Sequence, residues 1–521
     1  MPRQQQVEGS EPILKVCLAC GKVSQNMEKC MLCKQKFGAK AYYCSKECQR
    51  SDWAAHKLIH LQKEYKPQST TTCKLAASVI DSLGDAFEET LDLNCRDENG
   101  LSKLMLAAND GSCSEVERLL TLQADPLAVD DQGLTALNHA IYRGHVDVVE
   151  VLCRHGPVEQ LYKMPPQCKG STCLSQASAL GHLRVIEILL KAGGDELLHR
   201  SDTSGCSCLF PACHQGHLEV VRHLADAGGM LLLLQSDANG ATCLYTASSR
   251  GNADIVKELA KLGGRELLLK TDANGGTSLC AACHEGHLDV VRVLVEAGGE
   301  ELLLKTLPDG TSCLYIASVE GFVEIVRELI QAPGARTLLN LTDAEGRSCL
   351  LVACSEGHMD VARELIKAGG HALLHRVDGS GASSLFVACA SGRTDVVRAL
   401  VQVGGDALVQ QALHNGCTAL HVASHAGSLA IVEELIAAGG PQLLCRTVTG
   451  GLTPLHYAAS GGHLKVVEAL CRAGPAGLVG MVDDEGKTAL ERARLGGHLA
   501  VCEALQACAA AAGGSCGGAG C

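Results

Sequence analysis

A chain of 521 residues and 54.4 kDa can bury a large core, and 46% of it is hydrophobic, yet aromatic residues make up only 3% while glycine numbers 57. An interior of small and aliphatic side chains punctuated by so much glycine disfavours a single large enzyme barrel and points to a short unit repeated many times. The net charge of −13 divides into a head of +6 up to Lys66 and a body of −19. The acidic body argues against a surface that wraps nucleic acid, because phosphate binding needs a positive field, and leaves only the basic head to touch nucleic acid or an acidic partner.

Residues 1–16 have no apolar signal core, and no stretch of about 18 apolar residues follows that could cross a membrane. The expectation is an intracellular protein, cytoplasmic or nuclear, with a flexible start and no membrane contact. In a reducing compartment the 29 cysteines become candidates for metal ligation and for small core residues rather than a disulfide framework.

Between 17 and 60 the cysteines and histidines fall into four pairs: Cys17 with Cys20, Cys30 with Cys33, Cys44 with Cys48, and His56 with His60. Eight such ligands make two tetrahedral sites, and thiolate and imidazole at these spacings suit structural Zn, on which so short a segment depends for folding. The last two pairs are four residues apart in a helix-compatible stretch, so both members of each pair can project from one helical face. Pairing is open on spacing alone: neighbouring pairs could share an ion, or the first could join the third and the second the fourth.

The run from Cys17 to His60, with Tyr43, Gln49, Trp53 and Lys57 at their positions, resembles the MYND-type zinc finger. The resemblance implies two Zn ions and the interleaved pairing, with Cys17, Cys20, Cys44 and Cys48 on one ion and Cys30, Cys33, His56 and His60 on the other. His60 departs from the family's usual cysteine, which changes the second site to two thiolates and two imidazoles. The resemblance also implies recognition of short proline-containing partner peptides, with Gln49 and Trp53 in the peptide groove. Trp53, the sole tryptophan, could equally be the mini-core of so small a module.

Residues 61–90 read as a linker followed by a helix, with apolar Leu75, Val79, Leu83 and Phe87, that caps what comes next. From about residue 91 a unit recurs, anchored on Gly111, Gly144, Gly181, Gly216, Gly251, Gly286, Gly321, Gly357, Gly392, Gly427, Gly462 and Gly497, with eight of the eleven intervals equal to 35. Eleven residues before every anchor stands Gly, nine before Ser or Thr, seven before Leu, four before Ala, and eight after Leu again. The hydroxyl caps a first helix, Leu and Ala form its buried stripe, and the later Leu anchors a second helix. The Ala-Gly-Gly that follows is expected to stop the second helix in an αL conformation. Leucine runs after it, such as Leu302, Leu303 and Leu304, tuck in as an extra helical turn or else form an exposed apolar ridge.

The segment 453–458, Thr-Pro-Leu-His-Tyr-Ala, and its near copy at 418–423 closely resemble the ankyrin signature, and the period fits. The resemblance covers about 91–508 and implies an all-α solenoid of ankyrin repeats, about twelve units, behind a small N-terminal zinc-binding module. Residues 509–521, rich in Gly and Ala, are expected to be disordered. Cysteines recur eight and three residues before the anchors, as at Cys208, Cys243, Cys213 and Cys283, and read as small buried hydrophobes.

No nucleophile with its base and orienting acid emerges, nor any phosphate-cradling loop. The sequence therefore reads as a non-enzymatic scaffold or adaptor, its finger binding short peptides and its repeats a second protein. The alternatives are a regulatory subunit of an enzyme complex and a transcription-associated nucleic-acid-binding protein. The residues just before the anchors form the expected contact ladder: Tyr142, Arg143, His214, Arg250, His284, Glu285, Glu320, Glu356 and His425.

Overall fold

The computed structural model describes residues 95–163 and 170–513, together with four two-residue strands at 15–16, 23–24, 28–29 and 42–43. The proposed Zn ligands, Gln49, Trp53 and the linker and capping helix at 61–90 lie outside the described residues.

In a typical unit a Ser or Thr nine residues before the anchor starts the first helix. Thr242 accepts a hydrogen bond from the Tyr245 N–H and opens Cys243–Ser249; Thr277 accepts from Cys280 and opens Ser278–Glu285. Each cap satisfies one of the N–H groups that a helix start leaves without a partner. Ser207 is the exception, since the helix there begins later, at Leu209. The anchor glycine then closes the helix in the left-handed region, as Gly286 does at φ 82°. Among the described residues twelve first helices, from Lys103–Asp110 to Ala489–Leu495, are each followed by a second helix that packs against it.

A helix pair this short cannot enclose its own apolar stripe, so the pairs stack. First helices pack on first helices and second on second, giving two layers with one continuous core. The alanines four before the anchors, Ala247, Ala282 and Ala317 among them, are fully buried where successive first helices meet. The cysteine columns are buried beside them, and Cys208, Cys243 and Cys313 point their thiols at the carbonyls of Leu198, Leu233 and Leu303 at 3.5 to 3.6 Å. Ser384 makes the same contact with the Leu374 carbonyl at 3.4 Å. Burial pushes the Cys208 and Cys349 thiols up to about 12, so these cysteines stay protonated packing groups.

Between units the chain makes a tight finger. Asp237 Oδ1 accepts from the N–H groups of Asn239 and Ala241 at 2.9 and 2.8 Å, and the same Asp-centred turn recurs at Asp272, Asp343 and Asp483. Adjacent fingers are joined by backbone bonds, Ala238 N–H to the Ser204 carbonyl and Ala273 N–H to that of Asn239, both 2.7 Å. Pro308 occupies the next donor position and has no N–H to give.

The Ala-Gly-Gly segment differs from the expected αL stop. Gly229, Gly264, Gly299, Gly370 and Gly405 sit near φ 55° and ψ −155°, a basin reached essentially by glycine alone, and the chain kinks there and resumes as a short helix. That extension carries the leucine run into the core: Leu302 and Leu303 are buried and Leu304 is half-buried, so this run supplies packing, although Leu231 in the extension of an earlier unit is exposed. The two glycines have separate reasons. A Cβ on Gly298 would lie 2.5 Å from Leu302, whereas one on Gly299 would meet nothing within 4 Å.

Two described elements fall at the edges of the expected segments. Lys15–Val16, in the stretch expected to be flexible, pairs antiparallel with Val23–Ser24. The last helix, Leu499–Gly513, runs past 508 into the expected tail, because Ala509 to Ala512 are the strongest of helix formers.

The two hinge glycines yield a clean test. Gly299→Ala adds no steric contact but forces a side chain into a glycine-only basin, and should cost about 1 to 3 kcal/mol in equilibrium urea unfolding. An unchanged midpoint would show that the hinge accepts ordinary backbone geometry.

Candidate interaction surface

The first-helix layer has two kinds of position. The Leu and Ala stripe repeats unchanged, while the side chains five, two and one residues before each anchor vary from unit to unit; those five before are half-buried except for the buried His139, Ala281 and Val352, and those two and one before are exposed or half-buried. The last two of these positions interlock across repeats. Arg143 Nε donates to Asn109 Oδ1 at 2.9 Å, Arg250 donates to His214 Nε2, His284 Nε2 lies 3.8 Å from Glu320 Oε1, and Ser355 and Ser391 hydroxyls are 3.3 Å apart. In each case the residue two before one anchor meets the residue one before the next anchor.

The candidate contacts therefore divide. Arg143, Glu320, Glu356 and His425 are exposed; His214, Arg250, His284 and Glu285 are half-buried and partly committed to one another. Tyr142 is half-buried with its hydroxyl shut off from solvent, so it offers only part of its ring. His425 meets the Tyr457 ring edge-on, centroids 5.7 Å apart. His284 Nδ1 approaches Glu285 Oε1 at 3.2 Å. Burial alone would raise the Glu285 pKa, but His284, His287 and Arg250 outweigh it and hold the carboxyl below its usual range.

Beside the acids Glu285, Glu320 and Glu356 runs an apolar row five before the anchors: Ile316, Val352, Val387 and Val422, mostly half-buried. Residues such as Arg143, His214 and Arg250 thus mark the earlier units, and carboxylates bordering aliphatic side chains the middle ones. Such a face can bind a chain of matching charge and shape. Among the described residues no group of three or more His, Cys, Asp or Glu is placed to hold a metal.

Sequence reasoning missed the residue that follows each anchor. His145, His217, His287 and His358 each turn Nε2 onto a backbone carbonyl at the end of the preceding first helix, those of Asn109, Ala179, Ser249 and Val319, at 2.9 to 3.1 Å. Asn252 and Arg393 do the same with Cys213 and Ser355. The contact satisfies helix-end carbonyls that would otherwise lack partners. The recurrence of His after Gly was visible in the sequence; its partner, in the preceding repeat, was not.

The signature histidines are structural too. His421 Nδ1 accepts from the Thr418 N–H at 3.1 Å, and Nε2 donates to the Arg446 carbonyl at 3.1 Å. His456 makes the same pair of bonds with Thr453 and Lys487. Both rings need one acceptor and one donor nitrogen, which is the neutral form.

In the finger region Glu28–Lys29 pairs antiparallel with Tyr42–Tyr43, and Lys15–Val16 lies against Tyr42–Tyr43. The strand that ends just before Cys17 is thus near the strand that ends just before Cys44. The six cysteines and two histidines that the sequence places between 17 and 60 carry thiols and imidazoles, the donor chemistry of structural Zn.

A stack of helix pairs with a fixed core and a variable first-helix face defines a protein-interaction solenoid. The family model for ankyrin repeats in three copies matches in overlapping windows from 75–163 through 264–340 to 440–512, and the chain belongs to the ankyrin-repeat family. The MYND finger model matches 17–60, so the chain also carries an N-terminal MYND zinc finger, a zinc-binding class of domain. A stretch of 78 residues is 35% identical to the palmitoyltransferase AKR1 of Lachancea kluyveri, covering 15% of this chain and 11% of that protein. Ankyrin repeats and MYND fingers generally mediate contacts between proteins. No helix among the described residues is long and apolar enough to cross a membrane.

His421 gives the fold a pH dependence. Burial lowers its pKa from 6.5 to about 4, so the unfolded chain takes up this proton before the folded chain does. Stability present above pH 6.5 is then lost as pH falls towards 4. His421→Asn should keep the cap, since Asn138 accepts from the Thr135 N–H at the same position, and should make the loss of melting temperature over that window shallower. An identical slope in parent and variant would remove His421 from the account.

Proposed function

We propose that the protein is a non-catalytic scaffold whose finger takes short, proline-containing partner segments while the first-helix face of the repeats takes a second protein. The observation that carries this reading is the contrast within each first helix. Core positions are held constant along the stack, and the positions that face outward change from unit to unit. The row of Glu285, Glu320 and Glu356 beside Ile316, Val352 and Val387 supports a basic segment with aliphatic side chains as the partner of the middle repeats. With the acidic body it also supports protein over nucleic acid as the main partner.

For the finger the reading is two structural Zn ions in interleaved pairing. Cys17, Cys20, Cys44 and Cys48 would hold one; Cys30, Cys33, His56 and His60 the other. The approach of the strand before Cys17 to the strand before Cys44 supports that pairing. Zinc would supply the folding energy of the module, and Gln49 and Trp53 would border the peptide groove.

Metal quantification on the purified chain tests the first half. Two Zn are expected in the parent and in His60→Cys, and His60→Ala should weaken the ion shared with Cys30, Cys33 and His56. A single Zn in the folded parent would contradict the eight-ligand assignment.

Charge reversal tests the second half. Glu320→Lys with Glu356→Lys should reduce capture of proteins with basic segments by about tenfold, read by quantitative mass spectrometry, and leave the melting temperature within the scatter of surface substitutions. Loss of fold together with binding would assign these carboxylates to structure.

A further inference from the structure

The second-helix layer repeats an ion pair between units. An arginine six residues after one anchor reaches a glutamate seven residues after the next: Arg222 to Glu258 at 3.2 Å, Arg292 to Glu328 at 2.9 Å, Arg327 to Glu364 at 3.0 Å and Arg398 to Glu434 at 2.7 Å. Between the units anchored by Gly216 and Gly427 the register breaks where Lys257 precedes Val293 and where Arg363 precedes Ala399. Val293 is branched and packs against the core, filling its position. The methyl of Ala399 is too short to do so. A groove of about 250 Å³ opens there between the helices Met359–Leu374 and Thr394–Val409.

The groove has an apolar floor and a cationic edge. Met359, Ile366 and Val403 are among its apolar lining residues, and Val403 is 51% exposed; Arg363 and Lys367 are the cations among its lining. Lys367 is exposed and makes no ion pair with a described residue. Arg363 has Asp360 at 3.7 Å, a pair within its own helix that is largely exposed and so worth little. Without its glutamate in the next repeat, Arg363 is left for another carboxylate.

We propose that this groove docks an acidic peptide segment of a partner protein, inserting one large apolar side chain against Met359, Ile366 and Val403 and pairing flanking carboxylates with Arg363 and Lys367. The volume is below the roughly 300 to 1,000 Å³ of small-molecule sites and suits a single anchoring side chain. Two cations are too few for the counterion release that holds a nucleic acid, which gains nothing from the aliphatic floor. A second copy of this chain would bring a body of charge −19 against another of the same sign. The site lies on the layer opposite the first-helix face and stands or falls separately from that face's role.

Selection of short random peptides, displayed on phage, on the full chain tests it, with counter-selection on Ala399→Glu. That variant restores the glutamate position of the register and fills the groove; its melting temperature should equal or exceed the parent's, so lost binding is not lost fold. Surviving peptides should carry Leu, Phe or Met flanked by Asp or Glu. By fluorescence anisotropy a synthetic survivor should bind Lys367→Glu about tenfold or more weakly, and Glu320→Lys with Glu356→Lys as well as the parent. The proposal is overturned by an absence of survivors, by survivors without acidic enrichment, or by survivors indifferent to Lys367→Glu. Sedimentation showing self-association that Ala399→Glu abolishes would make a second copy the occupant and overturn it equally.

Discussion

Burial by a neighbour is the interaction on which the rest of this molecule depends. Leu279 has no exposed surface, but its helix, Ser278–Glu285, is eight residues long and could not cover it alone. Cover comes from the second helix of the same unit and from the first helices on either side. The small Ala282 permits that approach, and the His287 bond to the Ser249 carbonyl fixes its register. Each unit is therefore stable only as part of a stack, and the length of the stack is what makes a marginal unit viable.

That arrangement frees the surface. The core positions, the caps and the finger turns carry most of the fold, so side chains two and one residues before each anchor can change without disturbing the stack, whereas some of those five before, such as His139 paired with buried Asp130, are part of it. His214 with Arg250 and His284 with Glu320 use this freedom to link repeats at the surface. Glu356 uses it to stand exposed. The second-helix layer shows the complementary behaviour: four arginine–glutamate ties bridge its middle units, and where Ala399 interrupts them a groove opens. Recognition in such a molecule arises where the repeat is broken, because a perfect repeat offers the same surface everywhere.

Much of this was legible in the sequence because period is a counting property. The Leu seven before and the Ala four before each anchor identify the buried stripe without coordinates, and Thr242 or Thr277 identifies a helix start. The hinge was only half legible. Two successive glycines announce a special backbone, but a sequence does not say that Gly298 is there for lack of room and Gly299 for its dihedral angles, nor that the helix resumes beyond them. Contacts between units were the least legible. The partners of His145 and Arg222 lie some 36 residues away, and which atoms meet depends on the rotation from one repeat to the next. The finger is the reverse case: the spacing of its cysteines and histidines is what proposes ligands, and the strands at 15–16, 23–24, 28–29 and 42–43 add only their own pairings.

Neighbour dependence is tested most directly by native-state hydrogen exchange on the full chain carrying Leu279→Ala. Removing this buried side chain should cost about 2 to 5 kcal/mol locally. Protection should fall most in the unit anchored by Gly286, less in those anchored by Gly251 and Gly321, and least towards Gly111 and Gly497. A uniform loss of protection from end to end would contradict the account, because it would mean that the repeats fold as one undivided unit rather than through contacts with their neighbours.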